Sequence, residues 1–162
     1  MDKTTVIIKT IGRPSLKAAI RSAKREGFKV IVVSDGAKVS AQGATKLVTL
    51  GKNWGYYGGM AANVGAAMAD TEFVTFLDDD DVLIEGAGNI IRAKLEEDPT
   101  VDLWIGGARF SKEIAIWDQK VDPPALMYSA YDMACKKERG IAIGNVSLPT
   151  VRTKVFKNVP YA

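Results

Sequence analysis

The chain has 162 residues, 47% hydrophobic and 25% charged, with a net charge of +3, the size and balance of one ordinary globular domain. No run of 18 apolar residues occurs, so no transmembrane helix is expected, and the start Met1-Asp2-Lys3-Thr4-Thr5 leads straight into Val6-Ile7-Ile8, unlike a secretory leader. The single cysteine, Cys135, points to a reducing, cytoplasmic compartment, and the absence of histidine excludes Ser-His-Asp and Cys-His catalysis and every His-containing zinc site.

Thr4–Thr10 is β-branched and apolar, the pattern of a buried strand. Pro14-Ser15 opens a helix with Leu16, Ala19, Ile20 and Ala23 at helical spacing, and Gly27 stops it. Lys29–Ser34 is a second strand ending at Asp35-Gly36, residues 37–44 are a loop or one weak helical turn, and Thr45–Leu50 is a third strand. Gly51–Gly59 is a glycine-rich loop in which Trp54, Tyr56 and Tyr57 are expected to pin the chain to the body. Met60–Ala69 reads as a helix, Phe73–Leu77 as a fourth strand, Ala87–Glu97 as a helix and Asp102–Phe110 as a fifth strand. Strands that are continuous apolar runs and alternate with helices predict an α/β fold with a mostly parallel sheet covered on both faces. Further on, Ile114–Trp117 and Ile141–Leu148 are expected as strands, Ala125–Lys136 as a helix and a short helix within Val151–Val159, all within one domain over 1–162.

Charge is segregated along the chain. Residues 1–60 carry 11 Lys/Arg against 3 Asp/Glu, residues 61–118 carry 4 against 13, and residues 119–162 carry 7 against 3. An acidic centre with basic flanks suits a cation with an anionic ligand, although solvated helix faces explain most such residues. The centre of that acidity is Asp78-Asp79-Asp80-Asp81, directly after Phe73-Val74-Thr75-Phe76-Leu77. Like charges so crowded repel, and the carboxyl end of a strand is where open α/β sheets bind ligands. Oxygen ligands select Mg²⁺, Mn²⁺ or Ca²⁺. The bland alternative is an acidic turn that caps the next helix, but a cap needs one aspartate. Two enzyme classes place such a run after a hydrophobic strand: metal-dependent glycosyltransferases, with Asp-x-Asp on metal and nucleotide-sugar, and haloacid-dehalogenase-like phosphatases, with an aspartyl nucleophile, here Asp78. The phosphatase motif ends the first strand of its fold, whereas this one follows three strands.

Four segments, in order, resemble family 2 glycosyltransferases of the GT-A fold, a Rossmann-like architecture. Val6–Arg13 is similar to the first strand and donor loop, with Lys9 in place of a proline and Gly12 in place of an asparagine. Val30–Gly36 is similar to the second strand and its terminal aspartate. Gly58-Gly59-Met60-Ala61-Ala62-Asn63-Val64-Gly65 resembles the Gly-x-x-x-Ala-Arg-Asn-x-Gly segment, with Ala62 in place of its arginine. Phe76–Asp81 resembles Leu-Asp-x-Asp-Asp.

The resemblance implies a nucleotide-sugar-binding half at 1–110 and a partial acceptor-side half at 111–162. It implies that Thr10, Ile11 and Arg13 line the base and ribose, that Asp35 meets the base, that Asn63 steadies the donor loop, that Asp78 and Asp79 hold the ribose, and that Asp80 and Asp81 hold Mn²⁺ or Mg²⁺. The donor would be a nucleoside-diphosphate sugar, with UDP expected. The acceptor would be a glycan, a lipid-linked sugar, a protein or a modified nucleic-acid base. An inverting transfer needs a general base; the family's acidic pair has no counterpart after Asn145–Asn158, which leaves Asp102, Glu113 and Asp118 as candidates, a truncated transferase, or a module that binds a nucleotide-sugar without transferring it.

Overall fold

The apolar run that opens the chain forms the centre of a sheet: β1 (Thr4–Thr10) lies between β2 (Lys29–Ser34) and β4 (Phe73–Asp78), parallel to both. β3 (Lys46–Thr49) adds a parallel edge beyond β2. On the other side β8 (Leu148–Arg152) runs antiparallel between β4 and β6 (Leu103–Phe110). β7 (Ala125–Ser129) follows, parallel to β6, and β5 (Asp81–Leu83) closes the far edge antiparallel to β7. Among the described residues the order is β3-β2-β1-β4-β8-β6-β7-β5, with four parallel and three antiparallel pairings, a mixed and mostly parallel Rossmann-like sheet. This computed structural model describes residues 3–110, 125–129, 148–158 and 160.

Strand alternation sends successive side chains to opposite faces. Val6, Ile8, Val30, Val32, Phe73 and Leu77 face one core with α1 (Leu16–Arg25) and α3 (Ala87–Glu97). Ile7, Ile31, Val33, Val74 and Phe76 face the other with α2 (Gly59–Met68) and α4 (Thr153–Asn158). Helices therefore cover both faces, as the apolar runs predicted. Each fully buried Phe or Ile contributes about 1.5–3 kcal/mol. α2 packs tightly on β1, where a Cβ at Gly65 would collide with Ile7 Cγ2. The start of α2 lies beside the end of β1, where a Cβ at Gly58 would sit 3.0 Å from Lys9 Cδ.

β5 begins at Asp81, the last residue of the acidic run, after a turn at Asp79-Asp80. One sequence expectation is overturned. Ala125–Ser129 is a strand and not the start of a helix over Ala125–Lys136, because its backbone is paired on both sides, by β5 and β6. The short helix expected within Val151–Val159 spans Thr153–Asn158, and Val151 and Arg152 ahead of it pair with Val74 and Phe73. Residues 37–44 form a loop, one of the two forms expected. Ile114–Trp117, most of Ile141–Leu148 and Cys135 lie outside the described residues. No helix among the described residues is long and apolar enough to cross a membrane.

Candidate donor and metal site

The parallel register brings the functional residues to one edge. Thr10 pairs with Ser34 and Lys9 with Asp78, so β1, β2 and β4 end together. Thr10–Arg13, Asp35 and Asp78–Asp81 all emerge there, at the carboxyl edge of the strands.

The four aspartates have separate surroundings. Asp79 is buried, at 1% exposure. Its Oδ2 accepts from Thr10 Oγ1 at 2.5 Å and from the Ile11 and Arg13 amides at 3.3 and 3.4 Å; its Oδ1 accepts from Arg13 Nη1 at 2.6 Å. The Thr10 hydroxyl in turn accepts from Gly12 N at 2.9 Å. Asp79, expected on the ribose, is thus the anchor of the 10–13 loop. Its bond to Arg13 holds the guanidinium above its ordinary pKa, with Asp80 and Asp78 adding to the effect.

Asp78, Asp80 and Asp81 form a second group, each offering a carboxylate oxygen within 4.8 Å of the others. Asp78 is half-exposed and pairs with Lys9 Nζ at 2.8 Å. Asp81 is buried on β5. Burial pushes the Asp80 carboxyl above the usual carboxylate range; Arg13, 3.8 Å away, opposes this and Asp78 adds to it. Three converging hard oxygen donors in a repulsive arrangement fit a divalent cation such as Mg²⁺ or Mn²⁺. β5 is held from behind: the Leu83 amide donates to Ser22 Oγ at 3.0 Å, and Arg25 Nη2 donates to the Leu83 carbonyl at 2.8 Å.

Asp35 is also buried, and its carboxylate accepts from the Trp54 amide at 2.8 Å and the Gly55 amide at 3.1 Å. It therefore fastens the glycine-rich loop to the end of β2. Gly36 permits this: a Cβ there would lie 2.5 Å from Asn53 N. Ile11 is 53% exposed on the same edge, and Asn63 lies half-buried in the second turn of α2.

Of the candidate bases, Asp102 does not join this group. Asp102 precedes β6 and pairs with Arg152 Nε at 3.0 Å; Arg152 also holds Glu72, just before β4, at 2.6 Å. That is the amino-terminal edge of β4, about 16 Å of strand away from Asp78. Glu113 and Asp118 lie outside the described residues. Two features escaped the sequence reading. Lys9 is part of the site, and its signal was a lone cation closing the apolar run of β1. Tyr57 does not pin the loop: it is 99% exposed.

The glycosyl transferase family 2 model matches residues 5–156. No curated protein matches the chain. Among solved structures, S. aureus TarS 1-349 is 18% identical with a TM-score of 0.68, over 97% of this chain and 49% of that one. Glucosyl-3-phosphoglycerate synthase from Mycobacterium tuberculosis, in complex with Mn²⁺, UDP and phosphoglyceric acid, is 14% identical with a TM-score of 0.59, over 98% and 58%. The mannosyltransferase PcManGT from Pyrobaculum calidifontis, in complex with GDP-Man and Mn²⁺, is 21% identical with a TM-score of 0.54, over 66% and 36%. At these identities the likeness is one of fold, and the chain spans about half the length of TarS 1-349.

Proposed function

The chain belongs to glycosyl transferase family 2, and from that premise we propose that it binds a nucleoside-diphosphate sugar, a UDP-sugar, with a divalent cation and passes the sugar to an acceptor hydroxyl with inversion. The observation that carries this reading is the convergence of Asp78, Asp80 and Asp81 within 4.8 Å at the carboxyl edge, between two loops fastened by buried Asp79 and Asp35. Family membership sets the phosphatase alternative aside.

Asp80 and Asp81, with Asp78, would hold Mn²⁺ or Mg²⁺. Held there, such an ion would supply Lewis-acid stabilisation of the charge that develops on the leaving nucleoside diphosphate. Lys9 offsets part of the charge of Asp78. Arg13 gives Nη1 to Asp79 and is 45% exposed in its side chain, so its remaining donors face solvent and suit a phosphate. Thr10 and Ile11 border the nucleoside position, with Asn63 steadying the donor loop from α2. Asp35 acts on the base through the loop that it holds. The general base comes from outside this cluster, and Glu113 and Asp118 remain its candidates. The cytoplasmic compartment suggested by the lone cysteine belongs to the same reading.

Thermal unfolding with UDP and Mn²⁺ tests it. Saturating ligand should add about 2–3 kcal/mol of stability at a hundredfold excess over Kd, and Asp80→Ala should abolish the shift. Absence of stabilisation by any nucleoside diphosphate with metal overturns the reading. Binding without donor hydrolysis or transfer to any acceptor supports the non-catalytic module instead.

A further inference from the structure

We propose that Tyr57 is a stacking platform for the apolar face of a pyranose ring beside the acidic cluster, an inference that rests on the donor-site reading above. Tyr57 has φ +52°, the left-handed region, where every other positive φ among the described residues belongs to glycine. For a bulky side chain that conformation is unfavourable. Burial does not repay it, because the residue is 99% exposed. Glycine would serve the backbone better, so stability does not account for a tyrosine at this position.

Its placement suggests what does. Lys9 Nζ lies 2.8 Å from Asp78 Oδ1 and donates to the Tyr57 carbonyl at 3.4 Å. One ammonium thus ties this backbone to a carboxylate of the candidate metal site. The Lys9 stem packs under Gly58, where a Cβ would sit 3.0 Å from its Cδ. The other end of the loop is fastened by Asp35 through Trp54 and Gly55. The loop is therefore held at two points while its tyrosine ring points to water. Trp54 is the weaker platform: it is 43% exposed, and Lys52 Nζ covers one ring face at 4.2 Å. Aromatic faces attract the polarised C–H bonds of a sugar face and exclude water from it. A nucleobase is the competing flat partner, but Tyr57 is tied to the Asp78 end of the site, and Asp35 marks the base end.

The test compares the wild-type chain with Tyr57→Gly and Tyr57→Phe. Affinities are measured for UDP, UDP-glucose and UDP-N-acetylglucosamine with Mn²⁺, and for cellotriose and chitotriose added to the UDP–Mn²⁺ complex. Tyr57→Gly should melt no lower than wild type and bind UDP within twofold. It should bind the UDP-sugars, or the free oligosaccharides, about three- to tenfold more weakly, and Tyr57→Phe should bind like wild type. A loss confined to the UDP-sugars assigns the platform to the donor's sugar, and a loss confined to the oligosaccharides assigns it to the acceptor; both support the proposal. Equal sugar binding by wild type and Tyr57→Gly, sugar binding by neither, or an equal loss for UDP alone overturns it. If wild type binds no UDP with metal, the donor-site reading fails as well.

Discussion

Thr10 Oγ1 donates a 2.5 Å hydrogen bond to Asp79 Oδ2 across 69 positions of sequence. It joins the loop after β1 to the end of β4, and the same carboxylate takes up Arg13 and two loop amides. One buried side chain therefore shapes the loop on which the proposed nucleoside would rest.

Asp79→Ala removes that anchor and leaves its donors unsatisfied. A cost of about 2–4 kcal/mol is expected by urea unfolding, with Arg13 screened by its exposure. Asp79→Asn keeps the volume and should cost less. A wild-type-like midpoint for Asp79→Ala would show that the loop does not depend on it.

Asp35→Ala should cost about 1–3 kcal/mol, since two amides lose a charged acceptor. Hydrogen exchange should localise the effect, with the Trp54 and Gly55 amides losing protection while β2 keeps its own. Uniform loss of protection along β2 would instead mean that the strand itself had opened.

Asp80 should destabilise the metal-free protein. Its folded pKa is raised by burial, so the folded state holds its proton more tightly than the unfolded chain does. Its unfavourable contribution is absent below the ordinary aspartate range, grows as pH rises through the raised value and persists above it. In chelator at pH 7, Asp80→Asn should melt at or above wild type; with UDP and Mn²⁺ the order should reverse. Both orders are read from melting curves, and a less stable Asp80→Asn in chelator would contradict the repulsive geometry.

Asp102→Asn should leave donor binding and any transfer rate unchanged, because the residue sits at the opposite sheet edge with Arg152. Only a small loss of stability is expected from an exposed pair. A large fall in turnover with unchanged UDP affinity would return Asp102 to the candidates for the base.

Much of this was legible in the sequence for a physical reason. A strand buried on two faces must be apolar throughout, so Val6–Ile8, Val30–Val33 and Phe73–Leu77 announced themselves, and charge at their ends marked the edge that binds ligands. Pairing in the C-terminal part was not legible. Ala125–Ser129 has the composition of a helix and becomes a strand only through partners on both sides, because sheet pairing overrides local preference.

The sequence alone determined the α/β class, the acidic cluster and its attachment to a buried strand, since each depends on local pattern and composition. Only the tertiary structure decided which aspartate does what. Asp79 turns inward to hold a loop, Asp78 meets Lys9, and Asp80 and Asp81 complete the oxygen cluster. Those roles depend on side-chain direction and on neighbours far away in the chain, brought close by the parallel register of β1 and β4. Four identical residues in a row carry no such information until the sheet has formed.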